Sequence, residues 1–452
     1  RADIYNSNPF TGEATQGVER MIDNTLNAAN PVISNYGDFY VLINQLNLMI
    51  SHTESTDLLD ASTKNYYLGE AYGLRAYVYF HLLRSWGDVV LQLDYTNGNS
   101  IDIGNPSKAA SSAADVMTQI KKDIQSSEDA FGDDYSFKYG KCYWSKAATM
   151  MLKGEVYLWS GKQMNGGESD YTTAKNALMA VKTAGVGLLN DFKKVFAYDN
   201  KENDEIIFAI HNGRNEYSLW NDQYRSTMVM NQANFGTYYD ENGALLNETE
   251  MADMSGLIRY QVEQDLYTQL FREGDTRKSI SIKGIYNKDN TSGTLSFNSP
   301  IAYKFQGVLL DGDAQRSWLD DYPIYRYADC LLALATAKAF LGEDITQEIN
   351  EVRERAYGTT YFNEHRSEIA YPNDKDATFY ANNRFVGSDD NPIEAILKER
   401  MREFLFEGKR WYDIRLMGNE YATKYSNSER LLWPIDENTL GENSALNQTP
   451  GY

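Results

Sequence analysis

The segments "LRAYVYF" (74–80) and "LKGEVYL" (152–158) align position for position, and each is the centre of an apolar stripe with helical periodicity. Residues 70–88 set Leu74, Val78, Leu82 and Trp86 on one face, and residues 141–161 do the same with Ala147, Met151, Val156 and Trp159. A third stripe, "YRYADCLLALATAKAFLG" (325–342), is rich in the alanines that let helices approach closely. The fourth, 391–418, reads as helix from end to end. Asn391 caps it, Pro392 suits its first turn, Glu394 completes a capping box and Gly418 stops it. Its stripe runs through Ile393, Ile396, Leu397, Met401, Phe404, Leu405, Gly408, Trp411 and Tyr412. A glycine there costs ~1 kcal/mol relative to Ala, so Gly408 marks a close backbone approach.

Partner helices are expected at about 17–50, 114–131, 170–183 and 344–356. Each pair hides its apolar faces only by stacking on the next. The predicted fold is therefore mainly α: about four irregular, tetratricopeptide-like helix pairs, without the regular ~34-residue period of true arrays. A loop-rich insertion at about 185–320 interrupts them, with short strands at "EIIFAI" (205–210) and "SISIKG" (279–284). The reading is of one domain over 1–452, with a helical scaffold at about 17–183 and 323–418 and an extended tail at 419–452. A long irregular run inside a compact protein usually carries function, so the insertion is the expected working surface.

The charge balance, 64 acidic against 43 basic side chains and a net −21, argues against a nucleic-acid partner. Cys142 and Cys330 sit in apolar helical patterns and read as small buried hydrophobes rather than a disulfide framework. The longest apolar runs fall far short of the ~20 residues that span a bilayer. There is no nucleophile elbow, phosphate loop or dinucleotide fingerprint. His52, His81, His211 and His365 lack metal-ligand spacing, and His81 reads as a core residue. Asp320-Asp321 and Asp389-Asp390 precede helices, where capping and dipole roles explain them. No cofactor is expected. Asp/Asn-rich loops offer oxygens of the kind calcium takes, but no twelve-residue calcium loop is present.

In "ERMREFLFEGKRWYD" (399–413) more than half of the residues are charged, with Met, Phe, Leu, Trp and Tyr threaded between them. On a helix Glu407–Arg410, Arg410–Asp413 and Lys409–Asp413 are neighbours. Exposed pairs of that kind contribute only ~0.3–0.5 kcal/mol each. A structural role is the better reading: Glu399, Arg400, Glu403, Glu407, Arg410 and Asp413 reach neighbouring elements while the apolar stripe fills the core.

Tyrosine is unusually abundant, 34 residues with 7 tryptophans. Sugar rings lie on aromatic planes while Asn, Asp, Gln and Arg read their hydroxyls. "NGRNEYSLWNDQYR" supplies that mixture at Asn215, Tyr217, Trp220, Asn221, Asp222, Tyr224 and Arg225, with Trp220 foremost. Tyr238, Tyr239, Tyr286, Trp318, Tyr5 and Tyr36 are further candidates; Trp318, just before a scaffold helix, reads equally well as a core anchor.

The helical motifs resemble those of the SusD/RagB family, outer-membrane nutrient-binding lipoproteins of Bacteroidetes. "ERMREFLFEGKRWYDI" is similar to the family's C-terminal helix signature, "LRAYVYFHLLRSWGDV" to its Arg-Ala-Tyr segment, and "YRYADCLLALATAKA" to its Arg-x-Ala-Glu helix. The ending, with Pro434, Ile435, Asn443, Gln448 and Pro450-Gly451-Tyr452, resembles the family terminus. Val90, Asp329, Thr336 and Asp436 depart from the pattern. The resemblance implies non-catalytic capture of an oligosaccharide at the cell surface and delivery to a SusC-like TonB-dependent transporter. It also implies a lipid anchor, with the signal peptide and lipobox Cys upstream of residue 1. Peptides are the alternative ligand class; an α-helical glycoside hydrolase and a tetratricopeptide-like adaptor are the rivals from other classes.

Overall fold

The computed structural model describes the chain except residues 1, 7–16, 18, 34–35, 98–106, 217–231, 257–260, 425 and 427–428. It divides into two compact units. A helical unit comprises Asn24–Val186, Phe340–Gly342 and Ile414–Tyr452, and a mixed unit comprises Arg1–Asp23, Gly187–Ala339 and Glu343–Asp413.

The helical unit holds α1 (Tyr36–Ser55), α2 (Ala61–Trp86), α3 (Ala113–Phe131), α4 (Lys146–Gln163) and α5 (Gly167–Val181). Side-chain caps start three of them: Asp60 accepts from the Thr63 N–H, Ser112 from Asp115 and Ser145 from Ala148. These caps move α2 earlier, and α4 later, than the stripes alone predict. The expected helix at 17–50 is a turn at Glu19–Ile22 followed only at Tyr36 by α1; Asn24 and Val32 between them have positive φ, which no helix accepts. Glycines let these helices meet. A Cβ on Gly69 would lie 2.7 Å from the Phe131 ring, on Gly73 2.1 Å from Trp144 Nε1, and on Gly154 2.5 Å from Leu178. One buried ion pair joins α2 to α3, the Arg75 fork holding both Asp123 oxygens at 2.8 Å. The C-terminal stretch is less extended than expected. It carries a short helix at Glu437–Glu442 and packs on this unit, Trp433 N–H donating to Ser85 O and Trp86 Nε1 to Pro434 O.

In the mixed unit three antiparallel pairs form: β1 (Tyr5–Asn6) with β3 (Gln261–Val262), β2 (Ile206–Ile210) with β6 (Tyr322–Arg326), and β4 (Ile282–Lys288) with β5 (Leu295–Ala302). "EIIFAI" is β2, as its apolar run predicts. "SISIKG" is half strand only, because Arg277–Ser281 closes a helical turn before β4 begins. These strands share a core with the helix at Pro392–Phe404 around Phe235, Leu266, Ile285, Phe305, Trp318 and Met401. Residues of the 185–320 segment therefore form a packed body with the later helices rather than a loop surface laid over a helical scaffold.

Among the helices that follow, the longer ones are α6 (Tyr327–Phe340), α7 (Thr346–Tyr357), α8 (Pro392–Phe404) and α9 (Arg410–Met417). The stripe at 391–418 is thus two helices, not one. The chain leaves the helix at Leu405, with Phe406 at φ 67° and Gly408 at φ 73°. The break turns Glu407 inward onto Lys304 and Arg326, while Tyr322 donates to the Glu407 carbonyl at 3.1 Å. Gly408 does mark a close approach, since its Cβ would stand 3.0 Å from the Tyr322 hydroxyl.

Most charges of this segment pair with distant residues; within it, Arg402 meets Glu399 and Arg400 meets Asp413. Arg326 reaches Glu205, Glu403 and Glu407; Arg277 reaches Asp275, Glu399 and Glu403; Arg355 reaches Glu205 and Glu403. Arg353 holds Asp389 and Glu399, Arg402 holds Glu399 and Asp374, Lys398 holds Asp374 and Asp389, and Lys304 holds Glu407. None of these side chains is more than 3% exposed. The expected neighbour pairs Glu407–Arg410, Arg410–Asp413 and Lys409–Asp413 give way to longer reaches. Arg410 takes both oxygens of Asp3, Arg400 bridges Asp329 and Asp413, and Lys409 meets Asp329.

Burial alone would raise the Glu399 carboxyl, but Arg353, Arg277 and Arg402 outweigh it and hold the group at about 2, against an ordinary 4.5. A lowered carboxyl contributes stability in full above its unfolded value and loses it as pH falls toward the folded one. Urea midpoints are accordingly expected to drop steeply between about pH 4.5 and pH 2. A midpoint that stayed flat through that window would count against the ionised network.

Candidate ligand-binding site

The β4–β5 hairpin builds the site. Tyr286 and Phe297 are direct cross-strand partners, and the register slips between Ile285 and Tyr286. Tyr239 lies on the other side of β4, exchanging 2.9 Å backbone hydrogen bonds with Tyr286 in both directions. Directly opposed residues share a face. Tyr239, Tyr286 and Phe297 thus make a row across three adjacent chain segments.

Tyr267, on the turn Leu266–Gln269, extends the row. Its ring stacks on Phe297 at 5.5 Å and 15°, and Phe297 meets Tyr286 edge-on at 5.7 Å and 73°. Gly284 makes the stack fit: a Cβ there would stand 3.0 Å from Tyr267 and 3.2 Å from Phe297. Polar groups lie against the row, two of them ammoniums over ring faces. Lys278 Nζ sits 4.1 Å from the Tyr267 ring centre and Lys288 Nζ 5.1 Å from that of Tyr239. The Tyr267 hydroxyl donates to Glu241 at 3.2 Å. Burial, with help from Tyr286 and Glu241, raises the Tyr267 phenol well above its ordinary range, so it stays a neutral donor. Phe297 is 38% exposed and the three tyrosines are partly so. The arrangement offers partly exposed aromatic rings set among ammonium, carboxylate and hydroxyl groups.

Of the residues singled out in the sequence, Tyr239 and Tyr286 are brought together here. Tyr238, next along the strand-like segment, turns the other way and packs on the core. Tyr5 also packs on that core, its ring 6.2 Å from Phe406. Trp318 is fully buried, and Tyr36, in the helical unit, is 3% exposed between Tyr40 and Trp86. Neither ring has a face to offer a ligand, and both are corrected to packing residues. Asn215 stands in an exposed turn at φ 66°. Tyr217, Trp220, Asn221, Asp222, Tyr224 and Arg225 lie outside the described residues. Tyr267, Phe297, Lys278 and Glu241 were missed. Alternation in "TLSFNS" opposite "IYNK" was the available signal for Phe297, whereas "DLYTQL" carries none for Tyr267.

Two family descriptions match the chain: "SusD family" over residues 204–417 and "Starch-binding associating with outer membrane" over residues 3–158. A crystal structure of a SusD superfamily protein from Bacteroides vulgatus is 58% identical, covers 100% of this chain and 93% of its own, and superposes with a TM-score of 0.96. B. fragilis NanU is 57% identical over 100% of this chain and 91% of its own, also at 0.96. The starch-binding protein SusD of Bacteroides thetaiotaomicron is 22% identical over 91% of this chain and 76% of its own. Matched end to end by solved structures at more than half identity, the chain belongs to the SusD family.

Proposed function

We propose that this chain is a non-catalytic binding protein that holds a carbohydrate on the row Tyr239–Tyr286–Phe297–Tyr267. It would act at the outer membrane, lipid-anchored through a preceding Cys, and pass its cargo to a SusC-like TonB-dependent transporter. The observation that carries the reading is the row itself: Tyr267 stacked on Phe297, Phe297 edge-on to Tyr286, Tyr239 paired with Tyr286 through the backbone, and Lys278, Lys288 and Glu241 set among them. The C–H face of a pyranose gains by leaving water against such rings, and Lys288, Lys278 and Glu241 suit its hydroxyls. The name of the Bacteroides thetaiotaomicron relative and the description matched over residues 3–158 both support carbohydrate as the ligand class. Closed ion pairs at Glu399, Glu403 and Glu407 support binding without turnover: carboxylates sealed between guanidinium groups do not reach a substrate.

A glycan array set beside a peptide library tests the ligand class. On the best glycan, Tyr286→Ala with Phe297→Ala is expected to weaken binding about tenfold or more, since each ring contact is worth ~0.5–1.5 kcal/mol beyond its area. Thermal unfolding should move little, because both rings are partly exposed already. An unchanged affinity would remove the row from the site.

A further inference from the structure

The mixed unit also contains a cleft of about 300 Å³ that shares no lining residue with the aromatic row. Phe196 and the Asp320 carboxyl, the latter residue 2% exposed, lie at its floor; Tyr198, Lys193 and Asp199 stand exposed at its rim. Two short 3-10 turns, Phe192–Val195 and Tyr198–Asn200, carry the aromatic wall. Gly307 shapes the opposite one. It has φ 62°, and a Cβ on it would come within 2.6 Å of the Ser317 carbonyl, so no other residue fits there. Its N–H donates to Asp320 at 2.8 Å. Lys304 also lines the cleft, but its ammonium is committed to Glu407 and to the Glu403 carbonyl.

Asp320 accepts from the Gly307 N–H and, through its carbonyl, from the Asn212 amide, and it also lines the cleft. Burial pushes its carboxyl up to about 7, and the Gly307 N–H only partly offsets that. A buried carboxyl kept at such a cost in a concave site is characteristic of a group that meets a ligand. Ligand clefts begin at ~300 Å³, so this one has room for a single ring and not for a chain.

We propose that this cleft is a second ligand site, taking one sugar ring, with its C–H face on Tyr198 and its hydroxyl donors on Asp320 and Gln306. The choice of a sugar rests on the reading of the chain as a carbohydrate binder; the cleft itself does not depend on the row. A row alone suits an extended oligosaccharide. A row with a separate one-ring cleft would also register a terminal residue or a free monosaccharide.

Saturation-transfer NMR and calorimetry with glucose, galactose, glucosamine and N-acetylglucosamine test this. At least one should bind the wild-type protein. Ala197→Trp and Val308→Trp, which fill the cleft from its two walls, should each weaken that binding about tenfold or more while keeping cooperative unfolding. The signal should persist in Tyr286→Ala with Phe297→Ala. Monosaccharide binding that survives both filling variants overturns the cleft. So does a protein that binds oligosaccharides on the row but no single ring. If neither rings nor chains bind, the reading of the whole protein as a carbohydrate binder fails with it.

Discussion

Glu403→Ala is expected to cost about 3–5 kcal/mol of folding stability, or to prevent folding altogether. The Glu403 carboxylate is fully buried and meets Arg277, Arg326 and Arg355. Removing it leaves those guanidiniums in a place where water does not follow. Glu205, Glu399, Glu407 and Asp275 still hold parts of them, so the loss is not that of three naked charges, but one positive charge goes uncompensated in a low dielectric. Glu403→Gln should fall between, keeping an acceptor and losing the charge. Arg355→Met added to Glu403→Gln restores neutrality and should recover part of the loss, a coupling that a double-mutant cycle reads directly. By contrast Asp390→Ala, which removes the partner of Lys375 at an exposed 2.9 Å contact, should change stability by no more than ~0.5 kcal/mol. Denaturant titration at pH 7 separates the two. If Glu403→Ala melted like the surface variant, the network would not be holding the mixed unit together.

That network was legible as a density of charge and illegible as a set of partners. Local spacing around Arg410 points to Glu407 and Asp413; the residue it holds is Asp3, 407 positions away. Nothing short-range encodes such a contact, because it exists only once β1 has paired with β3 and the core has closed. The expected partner helix at 114–131 matches α3, whereas the Asp60 cap starts α2 nine residues before its stripe. The stripes failed at Leu405–Lys409, where burying Glu407 against Lys304 and Arg326 outweighs continuing the helix. Aromatic candidates divided along a similar line. Tyr239 and Tyr286 were singled out on composition alone, and it is the pairing of their backbones that sets them together. Trp318, which read equally well as a ligand contact or a core anchor, fills the core, since composition shows how many rings there are and not which way each one turns.

The glycines of the helical unit show how far packing overrides propensity. Gly73→Ala in α2 would gain ~1 kcal/mol if the site were open, because glycine is a poor helix former. The added methyl would instead stand 2.1 Å from Trp144 Nε1, well inside contact distance. Trp144 cannot step aside cheaply. It is 1% exposed, its indole donates to Thr149 at 2.9 Å and its backbone N–H to Glu70 at 3.2 Å, and Thr149 is itself tied to Ser127. Overpacking a tight core costs ~1–3 kcal/mol, occasionally more, so the net change should be a loss of that size. Gly37→Ala in the first turn of α1 is the matched control, since nothing lies within 4 Å of its Cβ. There the propensity term stands alone and the variant should be neutral or slightly more stable. Chemical denaturation of the two variants should therefore give changes of opposite sign. Two gains would mean that Trp144 yields freely and that the helices are not held at the separation the small residues allow.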